Sequence, residues 1–108
     1  MLVYAALQDL FFHAKIKTTA DHTGANVVFA TSYDELMEKI LRQKPDLLLV
    51  DLNGFMTPAH VSNARSKGIK VIGYLSHIQT DIRKNYQNVC DRILTNSEFS
   101  QKLAEILS

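Results

Sequence analysis

The chain has 108 residues, of which 46% are hydrophobic and 21% charged, and its formal net charge is +1. This balance excludes a bulk attraction to nucleic acid or to an anionic membrane. The single Cys90 excludes an internal disulfide framework and fits a reducing compartment. We therefore expect one cytoplasmic domain, residues 1–108, that binds neither nucleic acid nor membrane directly.

Apolar runs and amphipathic stretches alternate along the first half of the chain. The pattern predicts strands over residues 2–7, 26–30 and 46–50, and a helix over residues 10–22. Ser or Thr at residues 31–32, with an acidic residue three positions later, predicts the start of a second helix. That helix should turn Leu36, Ile40 and Leu41 toward the core.

The second half continues the same alternation. Thr57 followed by Pro58 is typical of a helix start, and we expect that helix to run to about Ser66. Further strands are predicted over residues 70–75 and 90–94, and further helices over residues 79–87 and 97–107. Ser97, with Glu98 in the first turn, is the predicted cap of the closing helix.

Five strand–helix units with short connections predict an α/β fold with a doubly wound, five-stranded parallel sheet. In the flavodoxin-like (βα)5 arrangement the strand order is 2-1-3-4-5, and ligands bind beyond the carboxyl ends of the strands. The third strand is wholly apolar and delivers Asp51 to that edge. Asp51 is therefore the first candidate functional residue, although an isolated aspartate there could simply cap a turn.

Asp9 follows the first strand, which neighbours the third strand in this order. Asp9 and Asp51 should then lie side by side, where two carboxylates share a proton or attract a divalent cation. Mg²⁺ binds through one or two carboxylates and keeps several waters, and the backbone carbonyl of Asn53 could add a ligand. Asp9 is equally suited to N-cap the first helix, and the two roles are compatible.

The stretch Pro45–Asn53, with its Asp-Leu-Asn ending, and the spacing of the elements resemble a response-regulator receiver domain of the CheY-like family. The segments Asp9-Leu10-Phe11-Phe12, Ser76-His77 and Ser97-Glu98-Phe99 also resemble short, stand-alone, receiver-like bacterial proteins. The resemblance implies that Asp51 is a phosphoacceptor and that Ser76 contacts the phosphoryl group. It further implies a Mg²⁺ site at Asp9, Asp51 and the Asn53 carbonyl.

The sequence departs from the receiver pattern in several places. The proline usual shortly after the phosphoacceptor is missing, since Gly54-Phe55-Met56 follows Asn53. Gln8 replaces one residue of the acidic pair that binds Mg²⁺ in receivers, Asn96 stands in the region of the lysine that pairs with the phosphoryl group, and Arg92-Ile93 occupies the region of the switch aromatic. A neutral amide donates a weaker hydrogen bond to an oxyanion than a lysine does. We therefore expect a weakened metal site and a damaged switch.

The resemblance implies a stand-alone phosphorelay domain without enzymatic activity, acting with a sensor histidine kinase or another signalling protein. The alternative is a pseudo-receiver, a phosphorylation-independent protein-binding module; a small-ligand sensor using the crevice is a third hypothesis. By the same resemblance, a partner or a second copy of the chain would bind a basic surface formed by Arg83, Lys84, Tyr86, Arg92 and Lys102. The alternative for that surface is a solvated helix face.

Overall fold

A five-stranded parallel sheet organises the computed structural model, which describes residues 1–76 and 80–108. The strands are β1 (Leu2–Ala6), β2 (Asn26–Ala30), β3 (Leu47–Asp51), β4 (Lys70–Leu75) and β5 (Arg92–Thr95). The helices are α1 (Leu10–Thr23), α2 (Tyr33–Arg42), α3 (Pro58–Arg65), α4 (Thr80–Tyr86) and α5 (Asn96–Ile106). Two residues named above lie outside the described residues: His77, and Gln79, at which the fourth helix is predicted to start.

The strand order is β2-β1-β3-β4-β5, as predicted, and every neighbouring pair is parallel. Side chains on a strand alternate between faces, and here both faces are apolar. One face packs on α1 and α5, and the other on α2, α3 and α4. Because β3 is the central strand, Asp51 emerges from the middle of the sheet edge.

The predicted helix starts are correct for α2 and α3. Ser32 accepts a hydrogen bond from the Glu35 N–H, and Thr57 from the His60 N–H. The core face of α2 differs from the prediction: Leu36 and Ile40 are buried, but Leu41 is 81% exposed, and Met37 packs against the core instead.

The boundaries of the last strand and helix differ from those predicted. The strand begins at Arg92 because the side chain of Asp91 accepts the Val71 N–H, at 2.7 Å, and so occupies a place in the strand ladder. The helix cap is Thr95 instead of Ser97, with Thr95 and Glu98 forming a capping box. None of the helices within residues 1–76 and 80–108 is long and apolar enough to cross a membrane.

Candidate functional site

Asp51 is the last residue of β3, and the chain turns sharply just after it. Its side chain is half-buried, and its Oδ1 accepts the Asn53 N–H at 2.9 Å. The Gly54 N–H donates to the Asp51 carbonyl at 3.0 Å, which closes the turn. A Cβ on Gly54 would lie 3.1 Å from that carbonyl oxygen, so the tight turn favours glycine.

Leu52, the next residue, fixes the turn to the neighbouring strand. Its N–H donates to the Tyr74 carbonyl at 2.9 Å, and its side chain is buried. The Leu52 methyl groups lie 2.8 Å from where a Cβ of Gly73 would be. Because Gly73 has no side chain, Leu52 can pack against β4. This packing fixes the residue after Asp51 and so keeps Asp51 at the carboxyl edge of the sheet.

Asp9 lies just beyond β1, the strand next to β3, and is exposed. It caps α1, since its Oδ1 accepts the Phe11 N–H at 3.0 Å, so the capping role predicted for it is correct. Its carboxylate also acts on Asp51. Burial raises the pKa of Asp51, the Asn53 N–H opposes that rise, and the Asp9 charge adds to it.

Asn53 joins the ends of β3 and β4 through its side chain. Its Oδ1 accepts the Ser76 N–H at 3.2 Å. Ser76 is half-buried and follows β4 directly, so its position next to the Asp51 turn agrees with the prediction. The sequence pattern indicated a role only for the backbone carbonyl of Asn53. It did not reveal this contact of the side-chain amide.

The donor set suits a hard divalent cation, though weakly. Asp9 and Asp51 each use one carboxylate oxygen for a backbone N–H, and within residues 1–76 and 80–108 their second oxygens have no hydrogen-bond partner. The Asn53 carbonyl adds a further oxygen in the Asp51 turn. Across the described ranges 1–76 and 80–108, no group of three His, Cys, Asp or Glu side chains is arranged to hold a metal. One or two carboxylates with waters is nevertheless the usual way proteins bind Mg²⁺.

Two of the replaced receiver positions, Gln8 and Asn96, lie at the same edge of the sheet as Asp51. The Gln8 side chain donates from Nε2 to the Thr31 carbonyl at 2.9 Å, beyond the end of β2. Asn96 is the first residue of α5, directly after β5, and the next lysine in sequence is Lys102. The strand passes into the helix without a loop, so no lysine follows β5 at the sheet edge.

The predicted basic surface is only partly assembled. Arg83 and Lys102 lie near Glu98, whose pKa is lowered by the Thr95 hydrogen bonds and then by these two cations. Arg92 instead lines a pocket of about 270 Å³ at the amino-terminal edge of the sheet, together with Asp46 and Glu105. The prediction of Tyr86 as a surface residue is wrong.

Tyr86 is 4% exposed, and its hydroxyl donates to the Met56 carbonyl at 2.7 Å. The amphipathic phenol ring packs inward and its polar tip finds a backbone acceptor, which helical spacing alone did not reveal. The surface therefore loses Tyr86, and Arg83 is itself half-buried.

Tyr74 was not identified from the sequence patterns. It lies on β4 as the register partner of Asp51 on β3. A residue with a polar tip in an otherwise apolar strand, two positions before Ser76, was the available signal. The phenol lies on the same face of the sheet as Asp51, since Leu47 and Leu49 share that face with Ile72 and Tyr74.

Solved structures of the same shape are response-regulator receivers. The chain matches the chemotaxis response regulator CheY4 of Vibrio cholerae with a TM-score of 0.80 and 17% identity, covering 98% of this chain and 94% of that one. It matches the receiver domain of NtrX from Brucella abortus with a TM-score of 0.81 and 11% identity, covering 96% and 92%. A two-component response regulator from Clostridium difficile matches with a TM-score of 0.77 and 17% identity, covering 89% and 83%.

The chain therefore has a CheY-like receiver fold. It covers 25% of the length of the longer NtrX chain from Brucella abortus. No protein-family model matches the sequence, and no curated protein matches it either.

Proposed function

We propose that this chain is a receiver-type signalling domain that accepts a phosphoryl group on Asp51. One observation carries the proposal: Asp51 ends the central strand at the carboxyl edge of the sheet, within electrostatic reach of Asp9. Ligands in doubly wound folds bind at this edge. The CheY-like fold supports a role in two-component signalling, with a sensor histidine kinase or a small phosphoryl donor as partner.

The chemistry assigned to Asp51 is an in-line displacement. A carboxylate oxygen attacks the phosphorus of the donor and forms an acyl phosphate as the bond from phosphorus to the leaving group breaks: a P–N bond for the phosphohistidine of a kinase, a P–O bond for acetyl phosphate. Ser76, held beside the turn by Asn53, is the residue proposed to contact the transferred group. Asp51 needs to be ionised for the attack; burial raises the pKa of Asp51 and so opposes that form, whereas the Asn53 N–H favours it.

Asp9, Asp51 and the Asn53 carbonyl are the proposed Mg²⁺ ligands. When bound, the cation would neutralise charge that develops on the phosphoryl oxygens. Gln8 brings no charge to this set and its Nε2 is engaged with Thr31, so we expect a lower Mg²⁺ affinity than an acidic pair would give.

The test is phosphorylation with acetyl phosphate and Mg²⁺, followed by intact-protein mass spectrometry. We expect the wild-type chain to gain one phosphoryl group and Asp51→Asn to gain none. Asp9→Asn keeps the acceptor that caps α1 but removes a charge, so we expect about tenfold more Mg²⁺ to be required. Asp46→Asn, the same substitution near the other end of β3, is the matched control and should behave as wild type.

Persistent modification of Asp51→Asn would contradict the assignment of the acceptor. A wild-type chain that takes no phosphoryl group and shows no change in its amide NMR spectrum with Mg²⁺ and beryllofluoride would favour a second candidate function.

The second candidate is a pseudo-receiver that binds partners independently of phosphorylation. It is motivated by the Thr95 capping box and Asn96, which occupy the region of the lysine. Its partner binding should survive Asp51→Asn but weaken in Arg83→Glu.

A further inference from the structure

Tyr74 stands directly beside Asp51 in the sheet. The two residues are register partners on β4 and β3 and point to the same face, the one covered by α1 and α5. The Tyr74 side chain is 1% exposed, whereas Asp51 is half-buried at the edge. The Tyr74 ring is therefore buried on the sheet face that carries the Asp51 side chain, one strand away from it.

Two aromatic rings fix the phenol in this place. The Tyr74 ring stacks on Phe99 with centroids 4.2 Å apart and an interplanar angle of 8°, and it contacts Phe12 at 4.9 Å. Phe12 belongs to the first turn of α1, which Asp9 caps, and Phe99 follows the Thr95 cap of α5. The Tyr74 ring is thus held against aromatic residues from the first turns of α1 and α5.

Among the residues that the structure describes, the buried Tyr74 hydroxyl has no hydrogen-bond acceptor. Within residues 1–76 and 80–108 it is the buried side-chain polar atom for which no hydrogen-bond partner is found. The hydroxyls of the other two buried tyrosines are paired: Tyr4 donates to the Gln43 carbonyl at 2.6 Å and Tyr86 to the Met56 carbonyl at 2.7 Å. Leaving a buried donor unpaired is costly, so an orphan beside a candidate site indicates a ligand acceptor.

The electrostatics agree with this position. Burial raises the pKa of Tyr74 far above its ordinary value, and the Asp51 and Asp9 carboxylates raise the pKa further. The phenol is therefore near both carboxylates and remains protonated at any physiological pH, which makes it a permanent hydrogen-bond donor.

We propose that the Tyr74 hydroxyl donates a hydrogen bond to an oxygen of the phosphoryl group carried by Asp51, and so adds a donor from β4 at a site where no lysine follows β5. This inference rests on the proposed function of Asp51. A hydrogen bond from a neutral donor to an anionic oxygen is charge-assisted, although the phenol brings no charge of its own.

The test uses beryllofluoride as the probe of the phosphoryl site, at saturating Mg²⁺, with affinities taken from amide NMR titrations. We expect Tyr74→Phe to bind beryllofluoride about tenfold more weakly than wild type, the loss of one charge-assisted hydrogen bond. Its Mg²⁺ affinity should be unchanged, and its stability toward urea should equal or exceed that of wild type, because the orphan hydroxyl is removed. Tyr4→Phe is the matched control: it should lose stability and bind beryllofluoride normally.

Equal beryllofluoride affinity in wild type and Tyr74→Phe would overturn this inference and leave the proposed function intact. A loss of stability in Tyr74→Phe as large as that in Tyr4→Phe would also overturn it, since the hydroxyl would then be paired without a ligand. Failure of wild type to bind beryllofluoride would overturn the proposed function itself.

A second readout does not depend on how the variant folds. The chain has four tyrosines, and the ¹³Cζ resonance of Tyr74 in wild type should shift on addition of beryllofluoride. An unmoved resonance, with the probe bound, would contradict the proposal.

Discussion

Opposing effects act on the pKa of the Asp51 carboxyl group. Burial and the nearby Asp9 charge favour its protonated form, while the Asn53 N–H favours the ionised form, and the net result is a raised pKa. A raised pKa in the folded state means that the folded chain binds this proton more tightly than the unfolded chain does. The ionised Asp51 therefore subtracts stability, as is common for groups kept for function.

We predict that Asp51→Asn has a larger free energy of unfolding than wild type at pH 7. The gain should shrink as the pH falls from the raised folded-state pKa through the unperturbed value of 3.8, because wild type then regains its proton. Urea unfolding of both proteins at matched pH, in the presence of a chelator, measures the difference.

Asp91→Asn is the contrasting variant. Burial works against ionisation of Asp91, but the Val71 N–H and the Arg65 guanidinium prevail and lower its pKa. Its ionised form therefore adds stability above pH 3.8, which is lost as the pH falls through the lowered folded-state pKa. Asp91→Asn should be less stable than wild type at pH 7, and a loss of stability in both variants would contradict the sign assigned to Asp51.

At the scale of the element, α5 is capped by Thr95, which is also the last residue of β5. Thr95 Oγ1 accepts the Glu98 N–H at 3.1 Å, and Glu98 Oε1 accepts the Thr95 N–H at 2.9 Å. The sequence contains this Thr-x-x-Glu spacing, and Ser97 was nevertheless predicted as the cap. If Ser97 were the cap, Glu98 would follow it by one position. A capping box needs the acidic residue three positions after the cap, so Glu98 could not form one with Ser97.

We predict that Thr95→Ala lowers the free energy of unfolding by about 1 kcal/mol, the usual cost of losing an N-cap. Ser97→Ala, two residues further on at an exposed position of the same helix, should change it little. Equilibrium urea unfolding of the three proteins compares them. Equal losses in the two variants would mean that the cap is shared or misassigned.

At the scale of the whole molecule, the sheet is stabilised by two apolar layers of similar extent. Leu48 belongs to the layer with α2, α3 and α4, and Leu49 to the layer with α1 and α5; both are fully buried. A two-sided core explains why β3 reads as a continuous apolar run without alternation.

Leu48→Ala and Leu49→Ala should each lower the free energy of unfolding by about 2–5 kcal/mol, because each removes fully buried methyl groups and leaves a cavity. Leu41→Ala, at a position that is 81% exposed, should have almost no effect. Chemical unfolding curves provide the comparison. A much smaller loss at one of the two β3 positions would mean that the corresponding face is less well covered than the structure indicates.

The resemblance to receivers supplied the strand order 2-1-3-4-5. The sequence by itself determined the α/β class with a doubly wound parallel sheet, and the position of Asp51 at the carboxyl end of the third strand. These features follow from local patterns: apolar runs, capping residues and short connections allow very few topologies. Only the tertiary structure decided that Tyr86 is buried and that Arg92 lines a pocket at the amino-terminal edge of the sheet, away from Asp51. It also decided that the hydroxyl of Tyr74, the register partner of Asp51, has no hydrogen-bond partner among residues 1–76 and 80–108. The reason is physical: tyrosine and arginine are amphipathic, so their burial and hydrogen bonding depend on which surfaces pack around them.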